Sequence, residues 1–244
     1  MWVMPFLNWR IWWHMVELYA IRINEPIEED VFKKLHSCVS KEKRERIKRF
    51  YFFDDVKRTL YGELLVRYLA CNRLKTANIE LVIDCNEFGK PFLQGYPSFH
   101  FNISHSGEWV ICAISNKKVG VDIEQIKPID LDIAKRFFSD AEYRMLMSQP
   151  EDLKKNYFYE IWTLKESYIK CVGKGLSIPL NSFSIIIGKP TINVLPKNIS
   201  GIYFSQLKMG QRYKLSVCSE DKIQKQNLNI VNIEDIKEIL LYGH

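Results

Sequence analysis

The sequence contains no C-x-x-C pair and no Cys/His cluster at zinc spacing, although it carries six cysteines, at 38, 71, 85, 112, 171 and 218. That pattern excludes a structural zinc site. Scattered cysteines in a chain of this length read as reduced, partly buried thiols of a cytoplasmic protein. There is no apolar run long enough to cross a membrane. The most apolar stretch, MWVMPFLNWRIWWHM, is broken by Asn8, Arg10 and His14, so it is too short and too interrupted to span. It also lacks the basic start, clean apolar core and small-residue cleavage site of a signal peptide. No fixed-period repeat and no low-complexity segment is present. With 47% hydrophobic and 26% charged residues, disordered, fibrous and collagen-like classes are excluded as well.

What is there is enough for a sizeable core. A chain of 244 residues fits one large domain or two small ones. Residues 1–15 hold four of the six tryptophans and differ in composition from everything downstream. They read as an extension ahead of a natural start at Met15, with a membrane-surface anchor as the alternative. The formal net charge of +6 favours acidic partners, whether nucleic acid, a membrane surface, a polyphosphate ligand or an acidic protein.

Alternation predicts a first strand over 16–23. Ser40 is placed to cap a charged helix, and Asp54 or Asp55 to cap a second that runs to residue 74. Residues 79–83, IELVI, read as a strand, and Asn86 to Pro91 as a turn. Three short apolar runs follow, at 100–103, 109–115 and 119–124, and their spacing suggests an antiparallel meander. Asp130 reads as a cap for the next helix, and Ser139 with Glu142 as a capping box for another. A long helix over 151–172 should stop at Gly173-Lys174-Gly175, with Phe158, Ile161, Trp162, Ile169 and Val172 as its core stripe. Strands are expected at 183–187 and 212–218. The class is α+β.

Four features carry chemistry. In Val119-Gly120-Val121-Asp122-Ile123-Glu124 the strand period turns the apolar residues to one face and both acids to the other. Paired carboxylates repel, so they favour a cation between them, and oxygen-only ligands suit magnesium. A solvated strand face is the plain alternative. On the long helix, Glu166 and Lys170 share a face, where an ordinary i,i+4 pair contributes about 0.3–0.5 kcal/mol. Ser104 and His105 stand at a strand end, where a corner of hydroxyl, imidazole and N–H groups suits a phosphate or is simply a polar turn. In the basic run from Lys41 to Arg49, Lys43 and Arg46 lie three apart on one face. They could clamp a terminal phosphate, join a nucleic-acid patch, or be solvated.

Together these stretches resemble the Sfp-type 4′-phosphopantetheinyl transferases. The resemblance rests on Gly120-Val121-Asp122-Ile123-Glu124 and on Trp162-Thr163-Leu164-Lys165-Glu166-Ser167-Tyr168-Ile169-Lys170, whose Asp122 and Glu166 stand 44 positions apart. EKRERIKRFY, Arg58-Thr59-Leu60, Gly89-Lys90-Pro91, FNISHSGEWV, DIAKRFFS and GKGLSIPLNSFS extend it over nearly the whole chain from Val16. Arg46 stands where close relatives carry lysine, and the last thirty residues match weakly.

The resemblance implies two similar α+β halves about a pseudo-twofold axis, 16–119 and 120–244, with the active site between them in a monomer. It implies transfer of 4′-phosphopantetheine from coenzyme A to a serine of a peptidyl or acyl carrier protein, with release of 3′,5′-ADP. Asp122, Glu124 and Glu166 would hold magnesium. Glu166 would act as base, directly or through a bound water, and Lys170 would contact the phosphates. Lys43 and Arg46 would hold the 3′-phosphate of coenzyme A, while Arg58, Thr59, Lys90, Ser104 and His105 would line the rest of its site. A basic nucleic-acid binder and a magnesium-dependent phosphodiesterase are the alternatives to this reading.

Overall fold

The computed structural model describes residues 15–24, 26–187, 192–195, 201–223 and 227–243. The expected extension, apart from Met15, lies outside them. Alternating side chains make Glu17–Arg22 the first strand, β1. Two short helices follow, α1 (Glu29–Ser37) and α2 (Lys41–Ile47), the second capped by Ser40, whose side chain accepts from the Lys43 N–H. The long helix α3 spans Phe53–Leu74. Its N-cap is Phe52, without a side-chain bond, so Asp54 and Asp55 do not cap it. They sit in its first turn, where the helix dipole favours acids.

The expected strand at 79–83 is not one. Asn78–Glu80 forms a single 3-10 turn, and β2 begins at Ile83, running to Cys85 and pairing with β3 (Pro91–Leu93). The cause lies on α3. The Arg67 guanidinium takes the carbonyls of Asn78 and Leu81, so this backbone is committed before any strand partner reaches it.

β4 (His100–Ser106) and β5 (Trp109–Ser115) form the expected hairpin. β6 (Val119–Gln125) does not extend it into a meander. β5 already pairs with β1 on one edge and β4 on the other, which leaves no free edge for β6. After α4 (Asp132–Phe137), α5 (Asp140–Met147) and α6 (Glu151–Val172), the chain makes β7 (Ser184–Ile187), β8 (Ile192–Leu195), β9 (Tyr203–Lys208) and β10 (Tyr213–Ser219). β10 is the strand that pairs with β6. β11 (Leu228–Ile230) and α7 (Ile233–Lys237) follow, and a π-helical turn over Glu238–Tyr242 closes the described chain. The N-cap of α4 is Leu131 rather than Asp130, because Asp130 spends its carboxylate on the Asp132 N–H in a local turn. The Ser139–Glu142 capping box is complete, and α6 ends on Gly173 in the left-handed region at φ 76°.

Two main sheets result, in the orders β11-β1-β5-β4 and β6-β10-β9. β5 is buried on both faces, which is why it reads as a continuous apolar run. Its Val110, Cys112 and Ile114 pack with Leu60, Leu64, Leu65 and Leu69 of α3. Its Ile111 and Ala113 pack with Val119, Val121 and Ile123 of β6 and Leu215 and Val217 of β10. The apolar side of β6 therefore faces the first sheet, and its other side faces α6. The class is α+β, as expected. All six cysteines are free, and four of them are buried.

Candidate active site

The site starts from a glycine. A Cβ on Gly120 would lie 2.1 Å from the Ser167 carbonyl oxygen and 2.3 Å from the Cys171 nitrogen. Only glycine lets α6 lie this close to β6. Two positions further along the strand, the same face carries Asp122, and α6 brings Lys170 onto it. Lys170 Nζ donates to Asp122 Oδ1 at 2.6 Å and to Ser104 Oγ at 3.1 Å. Ser104 Oγ in turn donates to Asp122 Oδ1 at 3.0 Å.

The other oxygen, Asp122 Oδ2, is buried with no hydrogen-bond donor. A buried carboxylate oxygen without a partner is costly and calls for a cation or donor. Burial raises the Asp122 carboxyl above its usual range, opposed by Lys170. Glu124 is pushed up to about 7, first by burial and then by repulsion from Asp122, with the Ser106 hydroxyl opposing. Glu166 is also raised, by burial and then by Asp122, with Lys170 opposing. These three acids, with Ser104, His105, Trp162 and Lys170, line one cavity of about 340 Å³. Among the described residues no three acid, histidine or cysteine side chains close into a ready metal cage. The donor set nevertheless fits a hard cation: three carboxylates line one cavity, one of them with a buried oxygen that has no donor.

Glu166 and Lys170 thus share a face as the spacing predicts, but Lys170 pairs across to the strand acid and not along its own helix. The His105 imidazole is lowered below its usual range, first by burial and then by the Lys170 and Arg58 charges. The remaining expected contacts lie outside this cavity. Arg58 donates to the Gly107 carbonyl and to Asp55, and lines a second cavity of about 430 Å³ with Lys127 and Arg212. Thr59 is half-buried on α3. Lys43 sits 3.7 Å from Glu63, and Arg46 is exposed on α2. Lys90 is tied to backbone: its Nζ donates to the carbonyls of Val119 and Cys171 at 3.1 and 3.0 Å. It joins the turn at 86–90 to the end of α6.

Sequence reasoning missed what holds α6 in place. Lys165 is fully buried. Its Nζ donates to both oxygens of Glu142, at 2.8 and 2.6 Å, and to the Phe183 carbonyl at 2.7 Å. Glu142 also accepts from the Ser139 and Ile185 N–H groups. A lysine beside Glu166 with no helical carboxylate at i±4 was the available signal.

The family models described as "4'-phosphopantetheinyl transferase, N-terminal" and "4'-phosphopantetheinyl transferase superfamily" match residues 25–117 and 118–218. The "4'-phosphopantetheinyl transferase Sfp" of Bacillus subtilis (strain 168) is 39% identical over 224 residues, covering 91% of this chain and 100% of that one. The "4'-phosphopantetheinyl transferase gsp" of Aneurinibacillus migulanus is 43% identical, covering 84% and 86%. The "4'-phosphopantetheinyl transferase psf-1" of Bacillus pumilus is 36% identical, covering 91% and 97%.

Proposed function

The chain belongs to the 4′-phosphopantetheinyl transferases of the Sfp type, and we propose that it runs their reaction in the cavity between β6 and α6. The substrates are coenzyme A and the serine hydroxyl of an apo peptidyl or acyl carrier protein. The serine oxygen bonds to the phosphorus that carries pantetheine, the pyrophosphate P–O bond breaks, and 3′,5′-ADP leaves. The nucleic-acid and phosphodiesterase alternatives have no support from the relatives.

The observation that carries this reading is the orphaned Asp122 Oδ2 in a cavity shared with Glu124 and Glu166. These three residues would hold magnesium, which when bound neutralises charge on the pyrophosphate oxygens. Glu166 is the base: its carboxylate takes the serine proton, and the upward shift from burial and Asp122 makes it a better acceptor than a solvated glutamate. Lys170 lies beside Asp122 and contacts phosphate oxygens, stabilising charge as the bond breaks. His105 and Ser104 offer hydrogen bonds to phosphate at the same wall.

Lys43 and Arg46 hold the 3′-phosphate, a role that suits two cations on one helical face. Arg58, Thr59 and Lys90 complete the coenzyme A site. The proposed arrangement is of halves 16–119 and 120–244 about a pseudo-twofold axis, working as a monomer. Support for two halves comes from the change of sheet between β4 and β6, which lie side by side in different sheets, although β11 returns to the first sheet. The carrier docks with an acidic face against basic surface, in keeping with the net charge of +6.

The test is direct. The protein is incubated with coenzyme A, magnesium and an apo carrier domain, and the carrier is weighed by mass spectrometry. Gain of one phosphopantetheine is expected. Carriers of both peptidyl and acyl type that keep their mass would refute the reading.

A further inference from the structure

β4 and β6 lie side by side but belong to different sheets. β4 pairs through its backbone with β5, and β6 with β10. The facing edge of β6 would then leave alternate N–H groups buried without acceptors, which proteins rarely tolerate. Three side chains of β4 fill that place. Asn102 Oδ1 accepts from the Val121 N–H at 2.8 Å, Ser104 Oγ from Ile123 at 3.2 Å, and Ser106 Oγ from Gln125 at 3.0 Å. Each acceptor and its donor are 19 residues apart. The two strands thus run parallel in one fixed register, joined by side chains where a sheet would use backbone.

Both hydroxyls also donate. Ser104 Oγ gives its proton to Asp122 Oδ1 at 3.0 Å, and Ser106 Oγ to Glu124 Oε2 at 2.9 Å. Each serine therefore reads the backbone of β6 with a lone pair and aims the neighbouring carboxylate with its proton. A slip of one residue would turn Asp122 and Glu124 toward the apolar side of the strand.

We propose that Asn102, Ser104 and Ser106 form a side-chain ladder that sets β6 against β4, and that Ser106 is a positioning residue for Glu124 as a metal ligand. Ser106 isolates the effect better than Ser104, because Ser104 also receives Lys170. Among the described residues Ser106 supplies the hydrogen bond that orients Glu124. The proposal rests on the ligand role given to Glu124 above.

The experiment uses the full chain with Ser106→Ala and Ser106→Thr. Magnesium alone is titrated calorimetrically, without coenzyme A or carrier, and folding is checked by circular dichroism. Removing a group that orients a metal ligand costs about ten- to a hundredfold in affinity. Ser106→Ala should bind magnesium at least about tenfold more weakly, with Ser106→Thr recovering most of the loss. In the transfer assay Ser106→Ala should need correspondingly more magnesium while the KM for coenzyme A stays within about twofold. Should alanine fail to fold, Ser106→Val and Ser106→Thr have the same shape and keep the comparison. Equal magnesium affinity for wild type and Ser106→Ala, or for the valine and threonine variants, overturns the ladder's role. A wild type that modifies no carrier yet shows the Ser106 effect would sink the transfer reading alone.

Discussion

Lys170 Nζ meets Asp122 Oδ1 at 2.6 Å across the joint between α6 and β6. The pair does two things at once. It neutralises one oxygen of a buried carboxylate, and it brings an ammonium to the wall of the cavity. Asp122 is nearly inaccessible, whereas the lysine side chain keeps 27% of its surface, so the cation reaches into the cavity while the acid stays in the wall.

That geometry predicts the behaviour of Lys170→Ala. The variant should fold, because Ser104 still donates to Asp122. Transfer should fall by about 10²–10³ in kcat, the usual loss on removing one positioned donor to developing charge. Steady-state kinetics against coenzyme A would check it. A loss below about tenfold would reduce Lys170 to a counter-ion of Asp122.

Gly120 makes a second prediction. Its Cβ would land 2.1 Å from a backbone oxygen, and backbone cannot swing aside as a side chain can. Overpacking costs about 1–3 kcal/mol, and the closeness of this contact puts Gly120→Ala at the upper end or beyond. Urea denaturation should show the loss. The same variant should lose transfer, since separating α6 from β6 parts Lys170 from Asp122. Gly89→Ala is the comparison: its φ of 82° strains an alanine, but no neighbour lies within 4 Å of the added carbon, so it should spare activity.

Much of this site was legible in the sequence because strand and helix periods are local. Alternation alone put Val119, Val121 and Ile123 inward and Asp122 and Glu124 together, and the turn of a helix put Glu166 with Lys170. What local periods do not carry is the partner. β6 pairs with β10, whose residues 213–219 lie far along the chain, and nothing in VGVDIEQ names that strand. IELVI looked extended, yet Ile79 is 91% exposed and the Asn78 and Leu81 carbonyls on either side belong to Arg67. Ser104 read as part of a phosphate corner or a polar turn, and its place in a ladder was not legible, because an edge lacking its backbone partner exists only once two sheets have met.

His105 gives a pH prediction. Burial, Lys170 and Arg58 lower its imidazole below the ordinary value of 6.5. A depressed folded value means the unfolded chain binds the proton first. The contribution to stability is whole above about 6.5 and is lost as pH falls through the folded value, with a slope of at most about 1.4 kcal/mol per pH unit. The raised acids Asp122, Glu124 and Glu166 act in the opposite sense, stabilising more as pH falls. The contribution of the histidine is therefore read as a difference. His105→Asn should lose less stability than wild type between pH 6.5 and 5, measured by urea midpoints. Parallel curves would show an imidazole that stays solvated.

The buried pair of Lys165 and Glu142 closes the account of how α6 is held. Desolvation lowers the Lys165 ammonium, and Glu142 opposes that shift. Removing one partner leaves a buried charge or an unfilled donor, which costs about 3–5 kcal/mol. Glu142→Ala should therefore unfold far more easily than wild type, and Lys165→Ala similarly. Replacing both by apolar residues of like volume removes the stranded charge, so Lys165→Met with Glu142→Leu should be more stable than either single alanine variant. The double variant should still transfer poorly. Glu142 accepts the Ile185 N–H and Lys165 holds the Phe183 carbonyl, and apolar side chains can do neither. Stability regained without full activity would mark the pair as a device that orients α6 and not as one that merely holds the fold. Full activity in the double variant would show that α6 finds its place by packing alone.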